Sequence, residues 1–348
     1  MKIAVIGAGI GGLTAAGLLC QTGHDVYVYE KRNNLDQVGA GVGIGSNVLK
    51  ALKQYKMAYA IEQEGQSLRK IEIKSDLDEF LNALMMNQDD NLNVTIHRNV
   101  LHEILKTHVP KERILLNHKL TEFKQTPDSV RLYFENGVEE QFDLVIAADG
   151  IHSVVRTNIY PKSTPKYAGY TCFRGVVNEK LDLEQDEALE YWGHKGRFGI
   201  VPLKDNELYW FCTMNAKEND LQFKSFEKPH LQAYFNQFPN EVRKVLDAQE
   251  ETGILQHDMY DLVPLKSFVS GRVVLLGDAA HAKTPNMGQG AGQAIEDAVT
   301  LTNLISDRDI ESALTRYDKI RTKHTKKVIL KSRKIGKSAQ TSSTLKIK

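Results

Sequence analysis

The sequence predicts an α/β fold in which a parallel-sheet domain is interrupted by a β-rich insertion and closed by a long C-terminal helix. Three observations carry this. An apolar run at 2–6 (KIAVI) leads into a glycine-rich turn and a helical stretch. From about 166 to 215 the chain becomes rich in aromatic and β-branched residues and glycine, with few helix signals. A second apolar run followed by glycines, at 272–292, restores the opening pattern, and helix periodicity then persists into the 330s.

The elements follow in order. Gly23 stops a helix over 13–21, and the β-branched and aromatic run 26–29 ends at Glu30, which completes a strand–turn–helix–strand unit. A loop at 39–45 (GAGVGIG) precedes one or two helices in 47–64. Residues 70–74 alternate as a half-exposed strand, 91–96 read as a strand, and 100–107 as a helix. Strand-like runs lie around 114–116, 130–134 and 142–147. In the insertion, YAGYTCFRGVV, EYWGHKGRFGIVPL and ELYWFCTMN read as strands of an antiparallel sheet, and 225–250 returns to helical spacing. No internal repeat stands out.

Composition bounds the function. The 348 residues hold 45 Lys plus Arg against 44 Asp plus Glu, a charge of +1, with 41% hydrophobic and 26% charged residues. This excludes a disordered chain, and the length suggests two domains, each with its own core. No apolar run approaches the roughly 18 residues of a membrane span, and the even balance argues against a dedicated nucleic-acid binder. Cys20, Cys172 and Cys212 are far apart with no CxxC, which excludes a zinc cage or a redox dithiol built from neighbouring thiols. They read as buried thiols of a reducing compartment. The start, MKIAVIGAG, lacks a signal-peptide apolar region of about 7–15 residues. The expected location is the cytoplasm.

Gly7, Gly9 and Gly12 form G-x-G-x-x-G, a turn that aims helix N–H groups at a pyrophosphate. Three glycines at that spacing recur by chance about 0.1 times in a chain of this composition, so the string alone is weak. The strand before it, the helix after it, and Glu30 standing 18 positions beyond Gly12 make it strong. A carboxylate there accepts ribose hydroxyls and repels a 2′-phosphate, which favours NAD or FAD. The turn does not separate the two.

Two further segments do. DLVIAADGIHSVVR at 143–156 and GRVVLLGDAAHAKTPNMGQGAGQ at 271–293, taken with the first motif, resemble the class A flavoprotein aromatic hydroxylases of the para-hydroxybenzoate hydroxylase fold. The likeness runs from Lys2 to about Lys334 and is nearest the urate hydroxylase, salicylate hydroxylase and zeaxanthin epoxidase-like branches. It implies a Rossmann-like FAD-binding domain at 1–70, 94–165 and 254–333, a β-rich substrate domain at 71–93 and 166–253, and a basic tail at 334–348. Besides Gly7, Gly9, Gly12 and Glu30, it implies that Asp278 accepts a hydrogen bond from the ribityl chain and that Gly288 and Gly290 offer amides to the flavin pyrimidine edge. It also places Arg98, in RNVLHEIL, and Asp149 beside FAD, Arg156 near FAD or the reductant, Pro285 on the flavin side, and Arg32 near adenine.

On the substrate side, Arg197 and Tyr209, 12 residues apart, resemble an arginine and a tyrosine near substrate in urate hydroxylase-like members; they are the catalytic candidates. Arg174, Phe211 and Met214 are secondary ones. His281 has no partner at metal-ligand spacing, and His152, His194 and His257 are isolated, so no metal site is expected.

The implied activity is an FAD-dependent monooxygenase. NADH or NADPH acts as transient reductant, and O2 gives a flavin C4a-hydroperoxide that hydroxylates or epoxidises a small aromatic or polycyclic substrate. The competing readings are a flavin oxidase or dehydrogenase without oxygen insertion, a simple NAD-dependent dehydrogenase, and a non-catalytic flavin or small-molecule binding protein. One dinucleotide fingerprint and no paired cysteine speak against a disulfide reductase. A monomer or homodimer is expected. Charge divides unevenly: residues 321–348 hold ten Lys or Arg and no acid, leaving 35 basic against 44 acidic residues, a balance of −9, in the rest. The expectation is a solvated helix that frays after Gly336, with a weak membrane-surface contact through the tail as the functional alternative.

Overall fold

A computed structural model describes residues 1–35, 39–86 and 92–340. The tail residues 341–348 and part of the expected 71–93 and 91–96 segments lie outside the described residues.

Strand Lys2–Ile6 lies inside a six-stranded sheet, flanked in parallel by Asp25–Tyr29 and Leu144–Ala147. Val273–Leu275 extends the sheet on one side and Ile114–Leu115 on the other. The central strands are mostly apolar because both faces are covered, one by helix Ile10–Gln21 and the other by the side chains Phe134 and Phe142, against which Tyr29 packs. Helix Ile10–Gln21 is correspondingly buried on nearly every side, and helix Gly290–Asp307 packs along it. An antiparallel three-stranded unit, Leu120–Gln125, Val130–Phe134 and Glu139–Phe142, hangs from this layer.

The middle of the chain forms a seven-stranded sheet. Its order is Leu255–Asp261, Lys166–Asn178, Glu207–Asn215, Gly196–Pro202, Glu187–Gly193, Lys70–Ser75 and Phe80–Met85. Period-two alternation gives it two different faces. Phe173, Phe198, Trp210 and Cys212 pack against helices Lys228–Tyr234 and Asn240–Ala248, and Trp210 Nε1 donates to Gln249 Oε1 at 2.7 Å. Cys172, Arg174, Arg197, Tyr209 and Phe211 occupy the other face, which is turned toward the first sheet.

Several expectations need correction. The C-terminal stretch is two helices, Gly290–Asp307 and Ile310–Ala339, because Asp309 stops the first and caps the second by accepting from Ser312 N at 3.0 Å. The second helix does not fray at Gly336. That residue is buried where a Cβ would come within 2.5 Å of Asn286 Nδ2, and the helix runs on to a buried Ala339. Residues 225–250 break into short helices at Pro229 and Pro239. Leu255–Asp261 hydrogen-bonds to Lys166–Asn178, and Lys70 lies in the same sheet. The seven-stranded sheet therefore takes in residues up to 261 and from 70. Among the described residues no helix is long and apolar enough to cross a membrane.

Candidate active site

The first motif builds a tight corner. Gly7 takes φ +102°, and a Cβ there would meet the Ala148 carbonyl oxygen at 2.5 Å; one at Gly12 would sit 2.0 Å from the Gly7 carbonyl oxygen. Strand and helix can cross this closely only without side chains at both positions. Gly12→Ala is therefore expected to cost about 3 kcal/mol, the upper end for overpacking, because the obstacle is backbone. Thermal unfolding of the variant checks this.

Glu30 is held rather than merely adjacent. Its Oε2 accepts from Ala8 N at 2.9 Å, and its Oε1 accepts from Arg32 N at 3.1 Å and from Arg32 Nε at 3.3 Å. Arg32 thus orients the carboxylate. Asp149 follows strand Leu144–Ala147, and its Oδ2 accepts from Val154 N at 2.8 Å at the start of helix Val154–Ile159. Its Oδ1 is buried with no hydrogen-bond partner, and burial pushes the carboxyl pKa up. Arg156, expected near FAD or the reductant, is held by the backbone around it. It is fully buried and donates to the carbonyls of Ala279 and Ile151 at 3.2 and 2.6 Å, stitching two loops together.

The second glycine-rich segment is anchored at both ends. Gly277 N donates to Asp297 Oδ2 at 2.8 Å, and the same oxygen accepts from His281 Nε2 at 2.6 Å. Asp297 Oδ1 accepts from Arg321 Nε of the last helix. Further on, Asn286 Nδ2 donates to Tyr170 Oη at 3.0 Å and to the Ser332 carbonyl at 3.1 Å. Asp278 and Pro285 remain exposed between these anchors, as do Gly288 and Gly290 at the start of helix Gly290–Asp307. Arg98 opens helix Arg98–Lys106. Burial lowers its guanidinium pKa, Asp278 counteracts that, and Arg174 and Arg32 add to the lowering. Asp278, Arg98 and Arg174 therefore face one another electrostatically, although they are distant in sequence.

On the insertion sheet, Arg197 is buried and ion-paired with Glu190, whose Oε2 also accepts from Trp192 Nε1 at 2.9 Å. Its guanidinium lies 5.0 Å from the Phe211 ring centre and 5.8 Å from that of Trp192. Tyr209 stands beside Phe211, ring centres 5.8 Å apart, and lies so close over Gly41 that a Cβ there would come within 2.7 Å of it. Burial drives the Tyr209 phenol upward, so its hydroxyl stays neutral. Arg174 shares this face. Met214 does not; it packs into the helix-covered core. A separate cavity of about 450 Å³, between Tyr170, Asn286 and Arg333, contains none of the predicted site residues.

Sequence reasoning missed the Asp297–His281–Arg321 network, Glu190, and Lys283. The Lys283 Nζ is buried without a hydrogen-bond partner, and burial lowers its pKa. An acid inside an apolar-periodic helix was the available signal for Asp297. The others come to their places only through the tertiary fold. Among the described residues no cluster of three His, Cys, Asp or Glu could hold a metal.

The residues fit FAD. Buried polar atoms at Asp149 Oδ1, Arg174 Nε and Lys283 Nζ lack protein partners. A Cβ at Gly9 or Gly290 would meet nothing within 4 Å, and neither residue takes a positive φ, so neither protein packing nor backbone conformation accounts for these two glycines, whereas close approach of a long dinucleotide does. Fold and site together define a flavin-dependent oxidoreductase of the type that covers its cofactor with a β-sheet domain. The comparisons agree: the FAD binding domain family matches residues 1–332, and the chain belongs to that family. It is 32% identical over 345 residues to the aurachin C monooxygenase/isomerase of Stigmatella aurantiaca, covering 98% of this chain and 90% of that protein. The FAD-dependent urate hydroxylase of Klebsiella pneumoniae is 31% identical over 349 residues, covering 96% and 89%. The crystal structure of Klebsiella pneumoniae HpxO complexed with FAD and uric acid superposes with a TM-score of 0.91 at 28% identity, covering 100% of this chain and 90% of that one.

Proposed function

We propose that this chain is an FAD-dependent monooxygenase that uses NAD(P)H and O2 to hydroxylate or epoxidise a small, planar, oxygen-bearing aromatic or polycyclic compound. The observation that carries the substrate side is the buried Arg197, fixed by Glu190 beside Phe211 and Tyr209, on the sheet face turned toward the FAD segments. A planar guanidinium, a flat aromatic wall and a neutral phenol suit a ring with carbonyl or hydroxyl groups. Uric acid, bound in the related HpxO, is such a ring.

When bound, FAD supplies electron transfer from the nicotinamide and activation of O2, which no side chain here can provide. The chain's own residues hold and orient. Gly7, Gly9 and Gly12 let the first helix present its amides to the pyrophosphate, Glu30 takes a ribose, and Arg98, Asp149 and Asp278 bind along the length between. The amides near Gly288 and Gly290 offer the positive end of a helix to the pyrimidine edge, with Pro285 on the flavin side. Arg197 and Tyr209 orient substrate, and the insertion sheet keeps water out. The FAD-holding part comprises 1–69, 94–165 and 262–333, and the substrate part 70–93 and 166–261.

Isotopically labelled O2, supplied with NAD(P)H and a panel of hydroxylated heteroaromatics, tests the reading. Label is expected in the organic product. Peroxide alone across the panel would favour an oxidase, and a protein unable to bind flavin would overturn the whole assignment. Asp278→Ala removes one charged hydrogen bond and is expected to weaken FAD binding by about 1.5–3 kcal/mol, roughly ten- to a hundredfold. Equilibrium titration of the apoprotein with FAD reads this directly, and unchanged affinity refutes the role.

A further inference from the structure

The last helix, Ile310–Ala339, buries one face through Tyr317, Arg321, Val328, Ile329 and Ser332. Its opposite face carries Arg316, Lys319, Lys323, Lys326, Lys327, Lys331, Lys334 and Lys337, all exposed. At 100° per residue these eight fall within an arc of less than half a turn. At 1.5 Å per residue they run for about 30 Å. No acid interrupts them. None makes an ion pair among the described residues, and the nearby Glu296 is taken by Arg321 at 3.0 Å. Leu330 stands in the middle of the stripe, 49% exposed.

We propose that this stripe docks the enzyme on an anionic lipid bilayer. A straight row of eight unneutralised cations around one exposed leucine matches a flat, negatively charged plane. Lysines near such a surface contribute additively, and the leucine can enter the headgroup layer. A nucleic-acid groove is a poorer match, since the row has no aromatic residue for stacking and only one arginine for forked phosphate contacts. The rest of the chain is acidic and would resist being wrapped by a polyanion. A plane meets one face alone.

The test is co-sedimentation of the full FAD-loaded chain with vesicles of phosphatidylcholine, or of phosphatidylcholine enriched in phosphatidylglycerol, at low and high salt. Binding is expected to the anionic vesicles only, and to be released by salt as screening shortens the range of the field. Substituting Lys323→Gln, Lys327→Gln and Lys334→Gln together is expected to weaken partitioning at least about tenfold. These side chains are exposed and make no hydrogen bond or ion pair with the FAD or substrate residues among the described residues, so flavin content and turnover of a soluble substrate should stay at wild-type level. Equal binding to both vesicle types, no binding to either, or an unaffected triple variant would overturn the proposal. Salt-sensitive binding to RNA without binding to vesicles would replace it with the nucleic-acid reading.

Discussion

Asp297→Ala is expected to destabilise the protein by about 3 kcal/mol, the lower end of the range for breaking a buried charge pair, because Arg321 keeps Glu296. Asp297 is fully buried, yet His281 and Arg321 hold its carboxyl well below the usual carboxylate range despite the opposing desolvation. Its two oxygens join three elements: the Gly277 amide at the end of a sheet strand, His281 in the flavin-side loop, and Arg321 in the last helix. Removing it takes from the Arg321 guanidinium, itself 4% exposed, the closer of its two carboxylate partners, leaves His281 and the Gly277 amide without their acceptor, and frees the loop that carries Asp278. Chemical denaturation should show the lower stability, and FAD affinity should fall with it. The pH dependence has a defined sign. A carboxyl whose folded pKa is depressed contributes stability that is fully present above its unfolded pKa of about 3.9 and is lost as pH falls toward the folded value. The wild type should therefore lose more stability than the variant on acidification below about pH 4. Equal acid sensitivity of the two would remove the network from this role.

The difference between Asp297 and Glu30 shows what the sequence could carry. Glu30 was legible because strand, glycine turn and helix fix its place within one local unit. The central parallel strands were legible because burial on both faces leaves continuous apolar runs. The insertion sheet was legible as aromatic and β-branched runs, but its edges were not. Leu255–Asp261 (LQHDMYD) carries three consecutive polar residues, Gln256, His257 and Asp258, which break the period-two pattern, and it is a strand because Lys166–Asn178 offers it a partner. The break between the last two helices depends on one cap, Asp309, inside an otherwise helical pattern. The burial of Arg156 was not legible for a related reason: a cation next to a ligand motif reads as a ligand group, and nothing local shows that the carbonyls of Ile151, Ser163 and Ala279 hold it. Partners more than a hundred residues apart leave no local periodicity.

Arg197 sits at the same boundary between motif and tertiary context, and substituting it carries the other large effect. Arg197→Ala is expected to leave FAD bound and to lower coupled product formation about 10²-fold, the scale of a lost positioning contact. NAD(P)H would still be consumed, with its electrons lost to peroxide. Stability will also respond, because the substitution leaves Glu190 with one charge partner fewer at a site where Arg197 is 5% exposed. The two consequences separate in two further single variants. Glu190→Gln keeps Trp192 Nε1 hydrogen-bonded but releases the guanidinium from its ion pair, so it should raise KM and peroxide yield while Arg197 remains present. Arg197→Lys keeps the charge and the pair but loses the planar fork, so it should recover stability without recovering coupling. Recovery of both by lysine would make Arg197 a structural cation. Recovery of neither, with FAD content intact, would extend its role to the geometry of the whole sheet face. The expected split, stability restored and coupling not, is the outcome that assigns the guanidinium plane to the substrate.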